Sequence, residues 1–171
     1  MERLKKALGF VTVPLFFILC AISCKPEIQR EYIMEPCPEE EKIPIAEQLD
    51  ALKAKGFQTF NYMDEQTGDT IIMQEYFIAF LKKGPQRSQT KAEADSLQAL
   101  HMAHLGRMYE EGYADISGPF GDDGDIRGIT IYNVPTQRMA DSLANLDPMV
   151  KAGRLVIEVH PWWAAKGFPL R

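Results

Sequence analysis

The chain has 171 residues, of which 46% are hydrophobic, 25% are charged and 10% are aromatic. This length suits one domain with some residues to spare. The composition is that of a folded globular protein, which excludes a disordered, collagen-like or multi-span membrane chain. With 19 basic and 24 acidic residues the net charge is -5, so the chain lacks the basic surplus of a nucleic-acid-binding protein and no such partner is expected.

The amino-terminal region contains an uncharged stretch, ALGFVTVPLFFILCAIS, at residues 7–23. Three basic residues precede it, and its 17 residues fall just short of a membrane-spanning helix, so the pattern predicts a cleaved signal peptide over residues 1–23. The stretch ends in A-I-S-C, which resembles the lipobox at which bacterial lipoproteins are cleaved and acylated. We therefore expect a cell-envelope protein anchored to the membrane through lipid on Cys24. A secreted or periplasmic form and an uncleaved anchor are the alternatives.

The three cysteines are consistent with this expectation. Cleavage before Cys24 discards Cys20 and leaves Cys37 as the only thiol of the exported protein, so no internal disulfide forms. The alternative is a disulfide between Cys24 and Cys37 in an unlipidated secreted form. Cleavage also removes three basic residues and one acidic residue, which leaves 16 against 23 and a net charge of -7.

Residues 24–69 are predicted to form a tether that contains one short helix. Residues 25–44 hold four prolines and six glutamates with few bulky apolar residues, so they cannot bury enough surface to fold. Apolar residues at helical spacing predict a helix over residues 45–57, with Gly56 near its end. Residues 61–70 are expected to form a loop.

The remaining residues predict six elements in the order β-α-β-β-α-β. The strands are expected at 71–81, 113–120, 128–134 and 155–160, and the helices at 91–111 and from a Thr136 cap to about 146. This order defines an α+β, ferredoxin-like domain over residues 70–163 with both helices on one face of the sheet, followed by a tail at 164–171. The uncovered sheet face predicts a homodimer. Trp162 and Trp163 are expected to close either the core or the dimer interface.

The first long helix contains the most informative polar residue. His101 lies near the centre of an apolar stripe, so it is either a hydrogen-bonded core histidine or a general acid or base. The other members of the stripe are Ala94, Leu97, Leu105 and Met108. His104, one turn further on, is at the edge of the stripe and is expected on the surface or at the rim of a site, where it is a candidate substrate-binding residue.

Three motifs in order resemble the YCII-related domain. They are H-M-A-H-L-x(6)-G-x(5)-G-P-F at 101–120, D-P-M-V-K-A-G at 147–153 and E-V-H-P-W at 158–162, and the resemblance covers about residues 75–162. It implies a dimeric α/β-barrel protein, similar to muconolactone isomerases, with a pocket between sheet and helices. It also implies a reactive histidine and aspartate, which are His101 and Asp147 here, and elimination from or isomerisation of small aromatic or lactone-like compounds. A non-catalytic binding or assembly module is the alternative.

Several candidates have a second interpretation. Asp147 precedes Pro148, which is the usual start of a helical turn, so its carboxylate is a candidate helix cap. Asp115 and Ser117 are alternate residues of a strand that either add polar groups to the substrate pocket or mark an exposed sheet face, and the exposed face is favoured. The cluster GDDGD at 121–125 lacks the spacing of a calcium loop and is expected to be a hairpin turn. The sequence has no zinc-ligand spacing and no glycine-rich phosphate loop, so no metal or cofactor is predicted.

Overall fold

The computed structural model describes residues 43–168 and residue 170. The signal peptide, Cys24 and most of the proline- and glutamate-rich spacer therefore lie outside the described residues. The helices are α1 (Ile45–Ala54), α2 (Lys91–Glu110), α3 (Gln137–Ala144) and α4 (Pro148–Lys151). The strands are β1 (Thr59–Met63), β2 (Thr70–Lys83), β3 (Ala114–Pro119), β4 (Ile126–Tyr132) and β5 (Leu155–Ala165).

The long strand β2 organises an antiparallel sheet. One edge of β2 pairs with β5, and the other edge pairs with β1 at its start and with β4 over its second half. Strand β3 pairs with β4, which gives the order β5-β2-β4-β3 with β1 beside the beginning of β2. The apolar and β-branched run of β2 suits this central position. The order of the elements confirms the predicted α+β, ferredoxin-like fold.

Helices α2 and α3 pack on the same face of the sheet, as predicted. Met108 of α2 and Ala140 of α3 belong to one buried cluster. The sheet contributes Phe77 and Ala79, which are alternate residues of β2, and Tyr132 of β4. A second buried cluster, built from Leu81, Met149 and Leu155, continues the core toward α4 and the start of β5. The candidate site lies beside this second cluster.

Side-chain caps define where the helices begin. Thr90 and Glu93 form a reciprocal capping box at the start of α2, with the Thr90 amide donating to the Glu93 carboxylate at 2.8 Å. Thr136 accepts a hydrogen bond from the Met139 amide at 3.2 Å, which confirms the predicted cap of α3.

Two strands depart from the prediction. Residues 59–63 form β1, although 61–63 were expected in a loop, because a segment with aromatic residues at alternate positions, Phe60 and Tyr62, pairs with the start of β2 through a turn at Gly68. Strand β5 continues through Pro161 to Ala165 instead of ending at residue 160. In the described part of the chain β5 pairs only with β2, so its outer edge tolerates a proline without an amide hydrogen.

The two adjacent tryptophans do not close the core. Trp162 and Trp163 are 41% and 40% exposed. The ring of Trp163 lies 5.1 Å from that of Phe60 in β1, and the ring of Trp162 lies 6.3 Å from that of Tyr76 in β2. The expectation that they close the core is therefore wrong, and their role at a dimer interface stays a prediction.

The helices within residues 43–168 include none that is long and apolar enough to cross a membrane.

Candidate functional site

Helix α2 carries His101 on its buried side. The helix has 20 residues, and its buried positions are His101, His104 and Met108, one to two turns apart. His101 is 8% exposed, and it lies where α2 packs against α4. The predicted position of His101 on the core-facing stripe is confirmed, and its ring needs a hydrogen-bond partner there.

Asp147 provides that partner and also caps α4. One carboxylate oxygen, Oδ1, accepts a hydrogen bond from the Met149 amide at 2.8 Å, and Pro148 occupies the first turn of the helix. The other oxygen, Oδ2, lies 2.6 Å from Nδ1 of His101. Asp147 is only 2% exposed. The capping role and the pairing with His101 therefore coexist, with one oxygen serving each.

The surroundings of Asp147 keep its carboxylate ionised. Burial raises the pKa of Asp147, but the hydrogen bonds from His101 and from the Met149 amide, together with the electrostatic effect of the His101 and His104 rings, lower it by more, so the net direction is downward. An ionised carboxylate only accepts hydrogen bonds, so Nδ1 of His101 must carry the proton that it donates to Asp147. In the neutral ring Nε2 then has the free lone pair, and this is the tautomer required of a general base.

A cleft of about 810 Å³ opens beside His101. It lies between α2 and the strands β3 and β4, and it reaches Met149 in the first turn of α4 and Leu155 at the start of β5. His101 lines the cleft and Asp147 does not, so the carboxylate stands behind the imidazole. The apolar side chains of the wall include Met102, Leu105, Tyr109, Ile116 and Met149. An open, largely apolar cleft with a few polar groups is the usual form of a small-molecule site.

His104 is a core residue, and the expectation of a surface or rim residue is wrong. It is 3% exposed and is absent from the residues that line the cleft. Its Nδ1 lies 3.1 Å from the Arg107 guanidinium, which donates to it, and its Nε2 is buried without a partner in the described part of the chain. Burial lowers the pKa of His104, while the nearby charge of Asp147 opposes this shift. The packing of α4 against α2 buries this edge of the helix, whereas Leu105 faces the cleft.

Asp115 and Ser117 are exposed and line the cleft, so both alternatives for these residues hold. The strand register shifts between Ala114 and Ile116, which places Asp115 in an irregularity of β3. Asp115 accepts a hydrogen bond from the Asn133 amide at 3.2 Å. The Ser117 hydroxyl lies 3.0 Å from that of Thr130, within hydrogen-bond distance.

Three arginines of the cleft were not among the predicted site residues. Arg87 follows β2, Arg127 lies in β4 and Arg154 immediately precedes β5. The Arg154 guanidinium donates a hydrogen bond to Gln89 Oε1 at 2.8 Å. The sequence carried one signal for Arg154, because it directly follows the D-P-M-V-K-A-G motif. Nothing in the sequence pattern connects the other two with His101.

The GDDGD cluster forms the connection between β3 and β4, as predicted for a hairpin turn. The Arg127 guanidinium donates to the carbonyl oxygens of Asp122 and Gly124 at 3.2 and 3.3 Å, and the Gly124 amide donates to the Asp122 carboxylate. Among residues 43–168 no three histidine, cysteine or acidic side chains are grouped so that they could hold a metal ion.

The chain matches no model of a known protein family, and no curated protein matches it either. Among solved structures it is similar to 5-chloro-2-hydroxyhydroquinone dehydrochlorinase (TftG) from Burkholderia phenoliruptrix AC1100, in complex with 2,5-dihydroxybenzoquinone. The identity is 23%, the TM-score is 0.39, and the match covers 51% of this chain and 92% of the other. A likeness of this degree supports no statement about the ligand or reaction of this chain. The resemblance to the YCII-related domain stays a prediction.

Proposed function

We propose that this chain is a YCII-related protein that binds a small aromatic or lactone-like molecule and converts it by acid-base chemistry of the lyase or isomerase type. The observation that carries the proposal is the buried hydrogen bond of 2.6 Å between His101 and Asp147, placed at the wall of an open cleft. A role of His101 in packing alone would not account for the open cleft beside its ring. In this arrangement His101 contacts the ligand and Asp147 acts on the ligand through His101.

The proposed reaction begins when Nε2 of His101 removes a proton from the bound molecule. The ionised Asp147 stabilises the imidazolium that forms, and it holds the ring in the orientation that keeps Nε2 available. In an isomerisation the same proton returns to a different atom of the ligand. In an elimination the leaving group departs with its bonding electrons, and His101 later releases the proton to water.

The proposal also includes the location and the assembly of the protein. We place it in the bacterial cell envelope with lipid on Cys24, for which the support is the A-I-S-C sequence at residues 21–24. Mass spectrometry of the mature amino terminus tests this, and a peptide that begins at Met1 would contradict it. A homodimer through the sheet face opposite the helices is supported by Val156 and Trp162 of β5, which lie on that face and are 45% and 41% exposed. Sedimentation that shows a monomer at all concentrations would contradict the dimer.

The experiment that tests the function is a thermal-shift screen of phenols, lactones and small carboxylates, followed by assays for conversion of each compound that binds. The informative variant is His101→Asn, because the asparagine side-chain amide can still donate to Asp147 while it lacks a titratable nitrogen at Nε2. We expect this variant to bind the same compounds and to lose their conversion. If the wild type converts nothing that it binds, the protein is a non-catalytic binding module instead. If His101→Asn converts the compounds as well as the wild type does, the acid-base role of His101 is wrong.

A further inference from the structure

The cleft and the whole chain have opposite charge. The chain carries a net charge of -5, yet the side chains that line the cleft include three arginines, Arg87, Arg127 and Arg154, and a single carboxylate, Asp115. That carboxylate already accepts a hydrogen bond from Asn133. Local positive charge in a cleft attracts anions even where the protein as a whole repels them.

The three arginines differ in how far the protein already uses them. Arg127 donates to two carbonyl oxygens of the hairpin turn and lies 3.8 Å from the Asp123 carboxylate, so it serves the turn. Arg154 has no carboxylate within 4 Å among residues 43–168, and the hydrogen bond from its Nη1 to Gln89 is the only side-chain contact of its charge in that part of the chain. Arg87 is exposed and forms no ion pair in the same part of the chain.

The unpaired charge of Arg154 favours a ligand with a negative charge. Its guanidinium is always protonated, so Arg154 cannot lose this charge by releasing a proton. Its charge has no counter-charge within 4 Å in the described part of the chain, and a planar carboxylate supplies one while it accepts from two donors of the guanidinium at once. Arg154 and His101 line the same cleft, and Met149 of the apolar wall lies in the turn that precedes Arg154.

We propose that the cleft binds a small aromatic carboxylate, with the carboxylate on Arg154, assisted by Arg87. The ring lies against the apolar wall formed by Met102, Leu105 and Tyr109, which leaves the reactive part of the molecule at His101. This inference rests on the proposed function, because it assigns a substrate class to the same cleft. It is independent of the reaction type, since Arg154 recognises charge and takes no part in proton transfer.

Isothermal titration calorimetry of the full-length protein with benzoate and with its neutral analogue benzamide tests the inference. We expect benzoate to bind at least about tenfold more tightly than benzamide, because only benzoate forms charge-assisted hydrogen bonds to the guanidinium. In Arg154→Gln this preference should disappear, and in Arg154→Lys it should be partly retained, since lysine keeps the charge and loses the planar fork.

The matched control is Arg138→Gln on α3, which changes the net charge equally at an exposed residue outside the cleft. It should bind benzoate as the wild type does. If Arg154→Gln does not fold, as judged by circular dichroism, the exposed Arg87→Gln replaces it, with a smaller loss of benzoate affinity expected. Equal binding of benzoate and benzamide, no binding of benzoate, or an equal loss in Arg138→Gln would each overturn the inference.

The two proposals fail in different ways. If phenols or lactones are converted in a His101-dependent manner while benzoate has no advantage over benzamide, the substrate class is wrong and the function stands. If benzoate binds through Arg154 while no screened compound is converted, anion binding stands and the acid-base function is wrong.

Discussion

Two histidine–carboxylate pairs in this molecule have nearly the same hydrogen-bond distance and very different surroundings. His101 lies 2.6 Å from Asp147 and His160 lies 2.7 Å from Glu158. The side chains of the first pair are 11% and 3% exposed, whereas those of the second are 53% and 49% exposed. Water screens the second pair and competes for its hydrogen bonds, while burial shields the hydrogen bond of the first pair from most of this competition. The distance alone therefore does not distinguish the two pairs, and it is the burial beside a cleft that makes His101 and Asp147 the candidate functional pair.

The largest expected effect follows from removing His101. His101→Ala leaves the ionised Asp147 buried with only the Met149 amide as partner, and the loss of one member of a buried pair costs roughly 3–5 kcal/mol of unfolding free energy. Urea denaturation measures this loss. His101→Asn, which can keep a donor to Asp147, should lose much less, and an equal loss in the two variants would show that the hydrogen bond contributes little.

A smaller effect is expected when the charge of Asp147 is removed and its shape is kept. Asp147→Asn can still cap α4 through its side-chain oxygen, but it no longer holds the His101 tautomer that leaves Nε2 free. We expect a loss of about 1–3 kcal/mol in stability together with loss of turnover. Denaturation and the assay established for the wild type measure these two quantities. An active Asp147→Asn would contradict the role of Asp147 as a positioning residue.

His104 and Asp147 are expected to change the stability of the fold in different pH ranges. The folded pKa of His104 is lowered, so the unfolded chain binds a proton first and stability declines as the pH falls below about 6.5, the value of an unperturbed histidine. The folded pKa of Asp147 is also lowered, so its contribution is present above about pH 3.9 and is lost as the pH falls through the folded value. His104→Asn, which keeps an acceptor for Arg107, should flatten the first decline in thermal melts between pH 7 and 5. An unchanged profile would assign that decline to another group.

The smallest effect is expected at the exposed pair. The hydrogen bonds that Glu158 accepts from His160 and Lys82 lower its pKa, yet all three side chains remain accessible to water. At a protein concentration low enough to keep the chain monomeric, we expect His160→Ala to leave the midpoint of urea denaturation indistinguishable from the wild type. In the proposed dimer this face is covered, so a loss should appear only at concentrations at which the dimer forms. A loss comparable to that of His101→Ala in the monomer would contradict the comparison of the two pairs.

The candidate site was predictable from the sequence where local rules operate. The helical spacing placed His101 on the core-facing stripe, and the Asp147-Pro148 pair marked a helix cap. Their contact across 46 residues came only from the resemblance, because periodicity says nothing about which elements meet. The prediction that His104 lies at the surface was wrong for the same reason. Helix α4, which packs against α2 near His104, is a single turn, and its position depends on the tertiary fold.

By itself the sequence determined the order of the elements and the central position of β2, because hydrophobic periodicity and turn residues act over a few neighbouring positions. The pairing of β1 with β2, the extension of β5 through Pro161, and the meeting of His101, Arg154 and Arg87 around one cleft were decided by the tertiary structure. These contacts join residues that are distant in the chain, and their energies depend on burial and on which edge or face is left open, which exist only once the sheet and helices have packed.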